Sequence, residues 1–179
     1  MPVIVVNDKK FQPYISAAEI QKQIEKLAAR INTDYEGKRP LFIAILNGSF
    51  MFASDLFKEI TIDAEICFIK LASYKGTRST GNVITSIGLD EPLLNRHVVI
   101  IEDIVDTGNT LNKFLPQLHN QQPASLKIAA LLHKPEALAY PIVIDYLGFS
   151  VPDKFLLGFG LDFDGLGRNL AEIYQLVEE

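Results

Sequence analysis

Two apolar runs, residues 41–46 (LFIAIL) and 98–101 (VVII), place the strongest constraint on the fold. Successive side chains of a strand point to opposite faces, so a strand with one face in water must alternate apolar and polar residues. Neither run alternates. Both therefore predict strands covered on both faces, as in a parallel sheet held between helices. Other apolar, β-branched stretches recur at residues 3–6, 66–72, 83–87, 126–132 and 142–147, and the second run extends back to His97. Helical or turn segments separate them. Ser16-Ala17-Ala18-Glu19 reads as a capping box, and Ile20, Ile24, Leu27 and Ile31 follow at spacings of 4, 3 and 4, so an amphipathic helix starts there. A second helix is expected from about Ser49 to Lys58 and a third from Thr107 to about Asn120. Pro116 is expected to kink the third or end it early, because it lacks the N–H that a helix interior needs. The class is α/β.

The chain of 179 residues, 48% hydrophobic and 22% charged, has the bulk and balance of one well-cored domain. No apolar run approaches the roughly 18–20 residues of a membrane helix. Residues 1–6 (MPVIVV) offer neither a basic start nor an apolar stretch of signal-peptide length, so a cytoplasmic location is expected. A single Cys67 excludes an internal disulfide and reads as a buried strand residue. A net charge of −5 argues against nucleic acid or an anionic membrane as principal partner, since both reward a basic face. A small anionic ligand needs only a few local cations and backbone donors, and Lys70, Lys75, Arg78, Lys134, Lys154 and Arg168 could supply the charge.

Residues 97–111 (HVVIIEDIVDTGNTL) read as a buried strand, a loop and a helix start. Open α/β sheets bind ligands at the carboxyl ends of such strands. The run Asp106-Thr107-Gly108-Asn109-Thr110 can present successive backbone N–H groups and hydroxyls at a helix N-terminus, which makes a cradle for a phosphate dianion. Glu102 and Asp103 would repel that dianion, so they suit ribose hydroxyls or Mg²⁺. A phosphorylated sugar is the expected ligand. Residues 76–83 have the glycine spacing of a Walker loop but lack its Lys and Ser/Thr, and His97, His119 and His133 show no metal-ligand spacing.

Residues 99–108 (VIIEDIVDTG) resemble the phosphoribosyl-pyrophosphate (PRPP) signature of type I phosphoribosyltransferases, and the flanks resemble the hypoxanthine-guanine branch. Residues 46–52 (LNGSFMF), 73–81 (SYKGTRSTG), and 145–149 (DYLGF) through 151–162 (VPDKFLLGFGLD) to Arg168 carry the rest of the likeness, which spans about residues 41–170. The resemblance implies a single domain with a Rossmann-like parallel core over about residues 16–140. A small hood subdomain would come from the N-terminal strand and about 141–179. It implies Mg²⁺-dependent transfer of the 5-phosphoribosyl group from PRPP to N9 of a 6-oxopurine, with release of pyrophosphate.

Residue roles follow by the same likeness. Asp106 manages the proton at purine N7, and Glu102 and Asp103 take the ribose hydroxyls and, with Asp162, the metal. Asp106, Thr107, Gly108, Asn109 and Thr110 grip the 5′-phosphate. Lys134 reads the oxygen at C6, donating to a carbonyl but facing the wrong partner in the adenine amino group. Phe155 stacks on the base, Lys154 and Leu156 offer main-chain contacts, and Arg168 binds pyrophosphate. Asn47 and Gly48 form the first pyrophosphate loop, with a cis peptide at Leu46–Asn47. Ser73 and Tyr74 open the catalytic lid over 73–81, suited to exclude water from the reacting centre. Two departures stand out: Asn47 replaces a lysine common in the family, and residues 164–167 (DGLG) replace bulkier, often aromatic residues before the arginine. A homodimer or homotetramer is implied, with contacts near the Asn47 loop and the second helix, where Phe50, Met51, Phe52 and Phe57 fit an apolar seam and ordinary core packing equally. The alternative is a PRPP- or nucleotide-sensing regulator of the same fold that performs no chemistry.

Overall fold

The computed structural model describes residues 2–73, 83–87 and 89–177. In chain order its elements are β1 (Ile4–Val6), β2 (Lys9–Ile15), α1 (Ala17–Asp34), β3 (Leu41–Leu46), α2 (Phe50–Lys58) and β4 (Glu65–Ser73). There follow β5 (Val83–Ile87), β6 (His97–Val105), α3 (Asn109–His119), β7 (Ser125–His133), β8 (Tyr146–Ser150), β9 (Leu156–Leu157) and β10 (Ile173–Leu176). Six strands form the main sheet in the order β5-β4-β3-β6-β7-β8. Five of them run parallel, and β5 pairs antiparallel at the edge.

The unalternating runs behave as their sequence requires. From Leu41 to Ile45 β3 is buried throughout, and from Val98 to Ile101 so is β6, with helices on both faces. Phe42, Ala44, Val99 and Ile101 pack toward α1 and α2, while Leu41, Ile43, Val98 and Ile100 pack toward α3. Helix α1 begins in the capping box: the Glu19 N–H donates to Ser16 Oγ at 3.3 Å, and the Ser16 N–H donates to Glu19 Oε2 at 3.0 Å. Its Ile20, Ile24, Leu27 and Ile31 are buried, each contributing about 1.5–3 kcal/mol of apolar transfer.

Three differences from the sequence reading have physical causes. Helix α3 continues past Pro116 to His119, because Leu111, Phe114 and Leu118 all bury on one side and outweigh the missing N–H. Residues 142–145 are not strand; Ile142 and Ile144 pack against the α3-side core instead, and the Asp145 carboxylate accepts the Ile128 N–H at 2.9 Å just before β8 begins. Strand β8 then joins the main sheet beside β7, so the core extends through Ser150, past the boundary expected near residue 140.

A second, four-stranded antiparallel sheet, β1-β2-β10-β9, is built from the two ends of the chain. Phe11, Leu157 and Tyr174 form its own small core. Of its strands, only residues 3–6 stood out in the sequence. Strand β2 carries two lysines, a glutamine and Pro13, so its burial of Phe11 and Ile15 is masked by polar neighbours. None of the helices among the described residues is long and apolar enough to cross a membrane.

Candidate active site

Strands β3 and β6 pair only from Leu41–Val98 to Ala44–Ile101. Beyond that point β3 stays with β4 through Leu46, and β6 stays with β7 through Val105, so the two central strands part. Chain direction diverges at the same place: α2 returns on one face of the sheet and α3 on the other. A crevice at the carboxyl ends of the strands, where their order reverses, is the general ligand position of open α/β sheets. A cavity of about 300 Å³ lies there, walled by Ile45, Leu46, Gly48, Leu71 and residues 102–111.

Its floor is acidic. Glu102 is only 7% exposed, and burial, reinforced by the adjacent Asp103, holds its carboxyl well above the usual carboxylate range. Asp103 is also pushed up by burial, with backbone N–H groups and the charge of Arg168 opposing the shift. Gly48 backs directly onto Asp103, and a Cβ on Gly48 would overlap that carboxylate. The Leu46–Asn47 peptide is cis, as the resemblance implied. Ser49 is buried and its hydroxyl donates to the Ile45 carbonyl at 2.6 Å, which closes the end of β3. Asn47 is exposed and stands outside the cavity wall.

The rim is a helix start. Gly108 is the α3 N-cap at φ 77°, and a Cβ there would press on Ile142 Cγ1 at 2.8 Å. The loop following β7 supports this turn, with the Ala139 and Tyr140 N–H groups donating to the Thr107 carbonyl at 3.0 and 3.2 Å. Thr107, Asn109 and Thr110 are exposed along the cavity wall. First-turn N–H groups have no acceptor within the helix and carry the positive end of its dipole, so this rim suits a phosphate.

A second cavity, of about 290 Å³, shares Asp103, Ile104 and Asp106 with the first and adds Lys134, Phe155, Leu156, Leu161 and Asp162. Lys134 is 8% exposed, a degree of burial that lysine rarely reaches unless paired. Its ammonium donates to Asp106 Oδ2 at 3.4 Å and Asp153 Oδ1 at 3.3 Å. Phe155 is 44% exposed, although a lone strand aromatic ordinarily joins the core. Phe163 meets it T-shaped at 5.7 Å and Phe11 at a tilt at 6.2 Å, so neighbouring rings support it while the residue borders the cavity. The Lys154 N–H is engaged with the Pro152 carbonyl at 2.8 Å.

The hood closes over Gly48. A Cβ on Gly160 would overlap the Gly48 carbonyl oxygen. Arg168 donates to the Gly160 carbonyl at 2.7 Å and pairs with Asp162 Oδ1 at 2.6 Å, and Asp162 Oδ2 accepts the Gly165 N–H at 2.8 Å. Asp162 is thereby held by its own turn and by Arg168 at the border of the second cavity. Among the described residues no three His, Cys, Asp or Glu gather into a metal-holding group. Glu102, buried, and Asp103, half-buried, are two hard oxygen donors beside the helix start, a set that fits Mg²⁺ completed by phosphate oxygens and water rather than caged by protein. Ser73 ends β4, while Tyr74 and the rest of the lid to residue 81 lie outside the described residues. The sequence reading missed Asp153 and Gly160. Only their places in a known motif could have flagged them, since their roles rest on contacts made across the fold.

Comparison with known proteins agrees with this geometry. The family model of the phosphoribosyl transferase domain matches residues 16–164. The hypoxanthine-guanine-xanthine phosphoribosyltransferase of Tritrichomonas foetus is 42% identical over 161 residues, 89% of this chain and 88% of that protein. The hypoxanthine phosphoribosyltransferase of Buchnera aphidicola is 40% identical over 166 residues, 91% of this chain and 94% of its own. A crystal structure of a hypoxanthine phosphoribosyltransferase from Staphylococcus aureus superposes with a TM-score of 0.88 at 39% identity, covering 93% of this chain and 91% of that one. The chain belongs to the phosphoribosyltransferase family, in its hypoxanthine-guanine branch, and is an enzyme.

Proposed function

We propose that the protein transfers the 5-phosphoribosyl group of PRPP to N9 of hypoxanthine or guanine, giving IMP or GMP and pyrophosphate. The observation that carries this reading is the pair of adjoining cavities joined at Asp106, one an anion cradle over paired acids, the other a slot with a buried ammonium and a supported aromatic ring. In this reading the 5′-phosphate sits on residues 106–110 and the ribose hydroxyls face Glu102 and Asp103. The purine lies against Phe155 with its C6 oxygen toward Lys134. The C1′–oxygen bond to pyrophosphate breaks, the C1′–N9 bond forms, and the proton at N7 passes to the Asp106 carboxylate. Charge on the departing pyrophosphate is met by Arg168. Glu102 and Asp103 would hold Mg²⁺, which would supply positive charge against the leaving group. Ser73 and Tyr74 would cover the reacting centre and exclude water, which strengthens every electrostatic contact inside. No covalent nucleophile is needed, so positioning and electrostatics supply the rate.

We also propose one domain acting as a homodimer or homotetramer, away from membranes and nucleic acid, in the cytoplasm. Phe50, exposed at the start of α2, suits a seam between copies, whereas Phe52 is core and Phe57 packs edge-on against Phe42 at 5.6 Å.

The test is pyrophosphate release from PRPP and Mg²⁺ with hypoxanthine, guanine, xanthine or adenine in turn, beside Asp106→Asn. Turnover with hypoxanthine or guanine, lowered roughly 10²–10⁴-fold in the variant, is the expected result. Preference for adenine overturns the base assignment. Binding of PRPP without turnover of any base overturns the enzymatic reading in favour of a sensor.

A further inference from the structure

We propose that Asp153 is a positioning residue for base selection, holding the Lys134 ammonium at the purine edge when Asp106 turns to its own task; the inference rests on the function proposed above. An ammonium has three tetrahedrally disposed N–H donors. Two of them go to Asp106 and Asp153, at 3.4 and 3.3 Å. With two directions taken, the third is fixed, and Lys134 borders the cavity that Phe155 and Leu156 also line.

The two carboxylates come from different parts of the fold. Asp106 follows β6 in the core, while Asp153 lies in the connection from β8 to β9, where the chain leaves the main sheet for the small one. Asp106 borders both cavities and has the purine proton to manage, so it cannot serve Lys134 throughout the reaction. Asp153 borders neither of the two cavities. It has no reacting atom to meet and can keep its hold on Lys134 while base is bound. It also stands two residues before Phe155, so one short segment sets both the donor to the base edge and the ring against its face.

Discrimination follows from the geometry. A fixed N–H aimed at C6 meets an acceptor in hypoxanthine or guanine and a second donor in adenine. A lysine free to swing loses that distinction, because it can retreat from the adenine amino group. Asp153 therefore acts on KM for the base and on the 6-oxo over 6-amino ratio, with little effect on PRPP.

Asp153→Ala, Asp153→Asn and Asp153→Glu are compared with the unaltered enzyme in steady-state turnover, varying hypoxanthine, adenine and PRPP separately. Asp153→Ala is expected to raise KM for hypoxanthine about fivefold, as befits a partly exposed ion pair, to narrow the hypoxanthine-over-adenine ratio, and to leave KM for PRPP unchanged. Asp153→Asn should fall between, and Asp153→Glu should restore most of the ratio. An unchanged hypoxanthine KM in the alanine variant overturns the proposal. So does a parallel rise in both substrates' KM, which marks a general structural loss. If the alanine variant does not fold, the asparagine and glutamate pair decides, and equal base KM and ratio in those two overturns it. Failure of the unaltered enzyme to turn over any base overturns the proposed function itself, and this assignment with it.

Discussion

At the scale of single residues, the tightest demand in the site falls on Gly48. Its missing side chain is the space in which the Asp103 carboxylate sits, and its carbonyl in turn occupies the space that Gly160 leaves. Gly48→Ala must displace either the loop or the acid. It is expected to cost about 1–3 kcal/mol, as overpacking does, and to lower turnover because Asp103 leaves the cavity floor. Urea unfolding and PRPP-saturated rates check the two effects, and an alanine variant with unaltered activity would show that Asp103 has no fixed position. The residue scale is also where sequence reading was most uneven. Glu102, Asp103 and Asp106 were legible because they follow one another on a recognisable strand and loop. Asp153 lies in the run 151–162 with no local cue to its role, since nothing in its spacing says that its carboxylate reaches the lysine that follows β7.

At the scale of elements, the C-terminal end of α1 is tied to the sheet by Asp34, which accepts the Tyr146 hydroxyl at 2.6 Å and the Lys127 ammonium at 3.5 Å. The hydroxyl bond lowers the Asp34 pKa, and Tyr146 is raised, by burial first and by that same bond. The signs set a pH window. A depressed acid contributes stability above its unfolded value, about 3.9, that is lost as pH falls through the folded one. A raised phenol contributes below its unfolded value, about 10, and that part is lost as pH rises. Tyr146→Phe should therefore lose most stability relative to the parent between about pH 4 and 10, with the gap shrinking on both sides. Chemical denaturation near pH 3, 7 and 11 checks this, and a gap independent of pH would assign the effect to packing alone. Helix α1 itself was legible from its capping box and its apolar stripe. The reach of α3 past Pro116 was not, because tertiary burial of Leu118 outweighs a local penalty.

At the scale of the whole molecule, the proposed phosphate cradle belongs to the large sheet, and Phe155, the ring proposed to face the base, to the segment entering the small one. A ligand held by folded protein alone should raise the unfolding midpoint. PRPP with Mg²⁺ at about a hundred times its Kd is expected to add roughly 2.7 kcal/mol, a rise of roughly 5–10 °C for a chain of this size. Absence of any rise would remove the cleft between β3 and β6 from consideration as the PRPP site. The covered central strands, the first helix and the glycine turn that starts α3 are legible in the chain alone, because each is written in neighbouring residues as a period, a cap or a loop. Tertiary structure alone decided where β3 and β6 part, which lysine is buried, and how Phe11 comes to pair with Leu176 across almost the whole chain. Those outcomes depend on which distant segments find each other. A polar strand such as β2 carries little local signal and acquires its identity from the partner it bonds, which is why the active-site framework could be read early and its closure could not.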